Sequence, residues 1–201
     1  MSGPSQGWFR VRQAREEDIP QVMEVNYKSL PENYWYGFFK FILDNWPKAF
    51  LVAEAEGRVI GYAMSRVESV SDPVLRGLEN ELEGGAPEAR PAGGGIRDRL
   101  RGLFSRRASP GRVGHLVSIA VLEEYRGRGV GSALLSETIR SLRDHYGVES
   151  IYLEVRVSNE RAIRLYEKFG FRKVRIIKKY YMDGEDAYVM VLRFGQSDAT
   201  S

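Results

Sequence analysis

The chain of 201 residues contains no cysteine and only two histidines. The lack of cysteine excludes disulfide bonds, thiol nucleophiles and cysteine-ligated metals, and we expect no metal site. No apolar run approaches the ~18 residues that a membrane span requires, and the first residues, MSGPSQGWF, lack the apolar core of a signal peptide. The net charge of +3 is too small to indicate a nucleic-acid partner. These absences favour a soluble, cytoplasmic protein that does not bind a membrane.

The hydrophobic pattern predicts an α+β fold in the order β-α-α-β-β-(insertion)-β-α-β-α-β-β, with a central mixed, twisted sheet and helices on both faces. Asp18 is the predicted N-cap of the first helix, and Pro31 is expected to end it. The predicted strands cover residues 9–12, 50–55, 59–67, 115–122 and 151–157, with a final pair within 171–181 and 186–194. Residues 1–195 would form a single domain, and residues 196–201 a flexible tail.

An insertion rich in glycine, proline and arginine interrupts this order at about residues 68–112. It includes EGGAPEARPAGGG, and residues 90–112 carry seven arginines against one aspartate. Residues 96–104 could form a short amphipathic helix, but the segment has too few apolar residues for a core of its own. The basic half could contact a ribosome, RNA or an acidic protein; we favour a solvated loop.

One junction concentrates glycine and positive charge, the stretch LEEYRGRGVGSALL at residues 122–135. Glycine lets backbone N–H groups approach a ligand, and the junction of a strand with a helix N-terminus is suited to phosphate. A P-loop requires a lysine after the last glycine, which is absent. The dinucleotide fingerprint requires a third glycine where the chain has Ser132. The remaining pattern is R-x-x-G-x-G, formed by Arg126, Gly129 and Gly131.

This pattern resembles the acetyl-CoA loop of the GNAT N-acetyltransferases, and the order of elements is similar too. SLPENYWYGFF and KKYYMDGEDAYVM resemble the catalytic subunit of the NatA class of N-terminal acetyltransferases and its archaeal relatives. YLEVRVSNERAIRLYEKFGF is similar to the broader family. The resemblance implies acetyl-CoA as the co-substrate. Residues expected to bind it are Ser118, Ile119, Ala120, Val121, Arg126, Gly127, Arg128, Gly129, Val130, Gly131, Ser132, Asn159 and Tyr166.

Acetyl transfer to an amine requires a neutral nucleophile, donors for the oxyanion and a proton for the departing thiolate. At pH 7 an α-amine with a pKa of ~8 is roughly a tenth neutral, whereas a free lysine is neutral in well under one molecule in a thousand. By resemblance, Glu32 and His115 are the candidate bases and Tyr166 the candidate acid. The alternative roles are a solvated carboxylate, a packed histidine and an ordinary helix aromatic. The oxyanion donors would be backbone N–H groups of residues 117–119.

The peptide substrate is expected to contact two loops. Those residues are Leu30, Pro31, Glu32, Tyr34, Tyr180 and Tyr181. In relatives, a glutamate in this sequence context accompanies small first residues (Ser, Ala, Thr, Gly), and archaeal relatives also accept some termini that keep methionine.

The sequence therefore predicts an N-terminal acetyltransferase that works by direct transfer in a ternary complex, since an acyl-cysteine is impossible without cysteine. We expect it to be active as a monomer, with the ribosome as a candidate partner. A protein lysine acetyltransferase on the same fold is the main alternative. A non-enzymatic module that grips nucleic acid through the arginine-rich insertion is another, and we consider a nucleic-acid partner the weaker interpretation.

Overall fold

The structure is a computed structural model that describes residues 7–69 and 111–194. Its helices are α1 (Ile19–Ser29), α2 (Tyr36–Asn45), α3 (Val130–Tyr146) and α4 (Glu160–Lys168). Its strands are β1 (Arg10–Gln13), β2 (Phe50–Ala55), β3 (Arg58–Ser69), β4 (Arg112–Val121), β5 (Ser150–Arg156), β6 (Arg172–Ile177) and β7 (Ala187–Arg193). The predicted α+β class and order of elements are confirmed.

The strands form one mixed sheet in the order β1-β2-β3-β4-β5-β7-β6. Neighbouring strands are antiparallel except β4 and β5, which run parallel and are joined by α3 as a crossover. The sheet therefore has one parallel junction at its centre, flanked by antiparallel hairpins. No helix in the described ranges is both long enough and apolar enough to cross a membrane.

Apolar residues at helical spacing cover both faces of the sheet. Leu134 and Leu142 of α3 and Ile163 of α4 pack in one buried cluster with Leu153 of β5. On the opposite face, α1 and α2 bury a cluster against β2 and β3 that includes Ile19, Val22, Phe39, Ile42, Phe50 and Tyr62. The sheet is thus the middle layer between two helical layers, and its edges and strand ends remain open to ligands.

Several strand boundaries differ from those predicted. β3 and β4 pair up to Ser69 and Arg112, so regular structure extends to the edges of the insertion. Residues 70–110, which include the predicted short helix at 96–104, lie outside the described residues, as do residues 196–201. β6 ends at Ile177, which places Tyr180 and Tyr181 in the connection to β7 rather than on a strand.

Asp18 occupies the N-cap position of α1 but its side chain does not cap the helix, contrary to the prediction. Its carboxylate instead accepts two hydrogen bonds from the Arg12 guanidinium, at 2.6 and 2.8 Å, and one from the Arg15 N–H at 2.8 Å. Arg12 also reaches Glu54 on β2 at 2.5 Å. Although burial raises the pKa of Asp18, these bonds outweigh it and lower the pKa below its usual value. The carboxylate therefore ties the edge of the sheet to the start of α1.

We expect Asp18→Asn to lower the free energy of unfolding at pH 7 by about 3 kcal/mol, because Arg12 then loses a buried partner. A lowered folded-state pKa stabilises the protein above the unfolded value of ~3.9 and loses that effect as the pH falls through the folded value. The difference between wild type and variant should therefore narrow below about pH 4. Urea unfolding at several pH values measures it. The control is Glu17→Gln, an exposed carboxylate in the same turn; an equal loss in both variants would contradict the assignment.

Candidate functional site: a cleft between two diverging strands

The central parallel strands are paired over only three residues and then separate. Val113–His115 of β4 pair with Ser150–Tyr152 of β5, and no further pairs follow. At the point of separation β4 carries a bulge: Ser65 pairs with Leu116 and Met64 with Ser118, so Val117 has no opposite residue on β3. The divergence leaves a cleft of about 1070 Å³ that runs from the glycine-rich loop to the connection between β6 and β7.

The glycine-rich loop closes one end of the cleft at the start of α3. Gly127 and Gly129 have φ values of 77° and 88°, a left-handed conformation that glycine adopts without strain. The Arg126 side chain donates from Nε to the Val121 carbonyl at 2.9 Å, which holds the loop on the end of β4. The first N–H groups of α3 have no partners within the helix, so this end is arranged for an anion such as a diphosphate.

Most of the residues predicted to bind acetyl-CoA line this cleft, from Ser118 to Val121, from Arg126 along the glycine loop, and at Asn159 and Tyr166. Arg128 and Val130 do not line it. The Arg128 guanidinium lies 4.0 Å above the Trp8 ring and 5.8 Å from the Tyr125 ring, and Val130, the first residue of α3, is buried. Asn159 accepts from the Ala162 N–H at 3.1 Å and so caps α4 as well.

His115 lies at the floor of the cleft between two carboxylates. Its Nε2 is 2.9 Å from Glu154 and its Nδ1 is 3.3 Å from Glu68, while its ring stacks on Tyr152 at 4.3 Å. Burial alone would lower the pKa of His115, but these carboxylates outweigh it and raise the pKa above its usual value. The two carboxylates therefore favour the charged form of the imidazole.

Glu68 is the buried member of this group. The Tyr152 hydroxyl donates to it at 2.7 Å, and Arg66 lies 2.5 Å away. Burial raises the pKa of Glu68, but the bonds from His115 and Tyr152 more than compensate and lower it to about 2. The carboxylate thus remains ionised and binds His115 at Nδ1.

Glu32 lies at the mouth of the cleft in an ion pair with Arg156. Arg156 also donates to Asp183 and Glu185, both at 2.7 Å, and its guanidinium lies 4.0 Å above the Tyr181 ring. One side chain on β5 therefore joins the α1–α2 loop to the β6–β7 connection. Among the predicted peptide-binding residues, Leu30, Pro31, Glu32, Tyr34, Tyr180 and Tyr181 all line the cleft.

Three further phenols line the cleft. Tyr166 on α4 is buried, and its hydroxyl has no partner within the described ranges; burial raises its pKa, so it stays protonated. Burial also raises the pKa of Tyr180 to about 12. Tyr34 packs on Phe38 at 4.9 Å. These hydroxyls can donate to carbonyl groups of a peptide or to a developing anion.

Sequence reasoning did not single out Arg66, Glu154 or Arg156, yet all three line the cleft. Glu154 and Arg156 alternate along β5 and so share one face of an otherwise apolar strand. The sequence did contain a signal for Glu154 and Arg156, since both are charged residues in a strand that is otherwise apolar. A charged group in such a strand requires a partner or a function.

Comparison with known proteins agrees with this geometry. The model of the acetyltransferase (GNAT) family matches residues 8–171. An N-alpha-acetyltransferase of Sulfurisphaera tokodaii is 41% identical over 182 residues, 90% of this chain and 91% of that protein. An N-alpha-acetyltransferase of Saccharolobus solfataricus is 43% identical over the same length and covers the same shares. The crystal structure of Ard1 from Thermoplasma volcanium has a TM-score of 0.67 at 25% identity, covering 92% of this chain and 97% of that one.

The family match spans the glycine loop, α4 and the cleft lining apart from Tyr180–Met182, and the relatives match along most of their own length. The chain belongs to the GNAT acetyltransferase family, and it is an acetyltransferase that uses acetyl-CoA as its co-substrate.

Proposed function

We propose that the protein transfers acetyl from acetyl-CoA to the α-amino group of protein N-termini by direct transfer in a ternary complex. The observation that carries this proposal is the tie through Arg156, which holds the α1–α2 loop and the β6–β7 connection together across the cleft mouth. A mouth bounded by two linked loops suits the free end of an extended chain. The relatives named above as N-alpha-acetyltransferases support the same substrate class.

The groups at the mouth suit a peptide terminus. Tyr34, Tyr180 and Tyr181 offer hydroxyls to the backbone of the first substrate residues. Glu32 places a carboxylate where the incoming ammonium group enters, and its bond to Arg156 keeps that carboxylate in position. Recognition through backbone groups depends little on which side chains the peptide substrate carries. The preference for small first residues, with some tolerance for methionine, rests on the resemblance of SLPENYWYGFF to NatA-like enzymes.

We assign proton acceptance to the pair formed by Glu154 and His115 rather than to the imidazole alone. One Glu154 oxygen is bound to His115, the other has no hydrogen-bond partner among the described residues, and Glu154 lines the cleft. His115 binds the first of these oxygens and so orients Glu154. The substrate ammonium group gives its proton to Glu154, and the neutral amine then attacks the thioester carbonyl. An α-amine requires only a modest base for this step, since its pKa is ~8.

The remaining roles fall to β4 and α4. Backbone N–H groups of residues 117–119, next to the bulge, would donate to the carbonyl oxygen as its charge develops. Tyr166 would give its hydroxyl proton to the sulfur as the C–S bond breaks, and its raised pKa keeps that proton in place beforehand. The attacking nitrogen loses its second proton as the amide forms, and this proton restores the neutral phenol. We further propose that the protein works in the cytoplasm as a monomer, with the ribosome as the source of its N-termini.

A peptide with two different amines tests the function. A peptide that begins Ser-Ala and contains one internal lysine is incubated with acetyl-CoA, and tandem mass spectrometry locates the added acetyl group. We expect the α-amine alone to be acetylated. The same peptide with a blocked N-terminus should remain unmodified, because its lysine is more than 99% protonated at pH 7. Acetyl on the lysine would contradict the proposal and indicate a lysine acetyltransferase.

The base assignment is tested separately. We expect Glu154→Gln to lower kcat by about 10²- to 10⁴-fold, the range that a positioned base contributes. The dissociation constant for acetyl-CoA should change little, because Glu154 lies at the acetyl end rather than at the glycine loop. The matched control is Glu149→Gln, an exposed carboxylate that does not line the cleft. Near-wild-type turnover of Glu154→Gln would exclude Glu154 as the acceptor, whereas a parallel loss of acetyl-CoA binding would indicate a structural role.

A further inference from the structure

A buried amide connects the peptide-binding loop to the core. Asn26 lies on α1 and is 1% exposed. Its Nδ2 donates to the Glu32 carbonyl at 3.0 Å, and its Oδ1 accepts from the Tyr34 N–H at 3.2 Å. A single side chain therefore binds the backbone on both sides of Asn33. The loop gains a fixed shape from these two bonds, and that shape places the side chains of Glu32 and Tyr34 at the cleft mouth.

The second Nδ2 hydrogen of Asn26 extends the connection to the sheet. It donates to the Tyr62 hydroxyl at 3.0 Å, and this hydroxyl lies 2.7 Å from the Ser118 hydroxyl. Ser118 is the residue after the Val117 bulge, on the part of β4 that has separated from β5. The arrangement that uses every hydrogen has Tyr62 donating to Ser118. An unbroken path of hydrogen bonds thus leads from the peptide loop to the strand that lines the acetyl-CoA cleft.

Packing alone does not account for these polar groups. Tyr62 is fully buried, with Phe39 and Phe50 at centroid distances of 6.0 and 6.4 Å. Burial raises the pKa of Tyr62, so its hydroxyl remains neutral and retains its proton. Polar groups in such an apolar cluster cost free energy unless all their bonds are made. Leucine and phenylalanine would fill the same space, and they would leave the loop without its anchor.

We propose that Asn26 and Tyr62 are positioning residues that hold the peptide-binding loop in register with the acetyl-CoA strand. Neither touches the reacting atoms; they act through the loop backbone and through Ser118. This inference rests on the proposed function, because it assigns the loop that carries Glu32 and Tyr34 to the peptide. It predicts that breaking the path impairs peptide use much more than acetyl-CoA use.

Two near-isosteric substitutions test the path. Asn26→Leu removes all three bonds of the amide, and Tyr62→Phe removes only the hydroxyl while the ring remains packed. We expect the peptide KM to rise about ten-fold or more in Asn26→Leu, the factor that the loss of one or two buried hydrogen bonds produces. Tyr62→Phe should cause a smaller rise, and the KM for acetyl-CoA should change less than about two-fold in both.

The control separates positioning from loss of stability. Val25→Ala creates a cavity at a buried residue next to Asn26 in α1 and touches none of these bonds. It should lower Tm without raising the peptide KM. If Asn26→Leu raises the peptide KM no more than Val25→Ala does, or raises the acetyl-CoA KM equally, the proposal is wrong.

An additional readout does not depend on activity. Hydrogen exchange of the Tyr34 amide should be fast in Asn26→Leu and slow in both wild type and Val25→Ala, since Asn26 is its acceptor. If the wild-type protein acetylates no peptide, the proposed function is wrong. Hydrogen exchange alone then tests whether Asn26 anchors the loop. Unchanged protection of Tyr34 in Asn26→Leu would then overturn it.

Discussion

The separation of β4 from β5 after three paired residues is the constraint on which the rest of the site depends. A continuous sheet would satisfy these backbone groups and leave no room for a ligand. The bulge at Val117 ends the pairing, and the antiparallel neighbours β3 and β7 hold the two strands apart. The resulting gap presents unpaired backbone on one side, glycine-loop amides at one end and tyrosines at the other. An elongated thioester co-substrate requires such a set of groups in this order.

Two clusters of charged side chains lie along the gap. Glu68 and Glu154 bind His115 at the floor of the cleft, and Arg156 joins Glu32 to the β6–β7 connection at its mouth. In both places a side chain from a central strand is surrounded by carboxylates, so its position is set by several partners rather than by one. Buried charges are tolerated only with such partners. The same pairing that meets this requirement places Glu32 and Glu154 on the lining of the cleft.

The order of elements and the glycine loop could be predicted because each has a local signature: apolar periodicity for the elements, and R-x-x-G-x-G for the loop. The resemblance in SLPENYWYGFF led to Glu32 but not to its ion pair with Arg156, since 124 positions separate the two residues. The capping role expected of Asp18 was wrong because Arg12, on a neighbouring strand, is a stronger partner for its carboxylate than the helix N–H groups. The ion pair of Glu32 depends on a contact distant in sequence, and the role of Asp18 on a side chain from the preceding strand.

The most direct test of the account is amide hydrogen exchange along β4 with and without acetyl-CoA. We expect N–H groups of residues 117–121 that face the gap to gain protection on binding, because the co-substrate supplies the partners that β5 does not. Amides at Val113–His115 should not change, since β5 already pairs with them. Binding of acetyl-CoA with no added protection after the bulge would contradict the assignment of this gap as the co-substrate site.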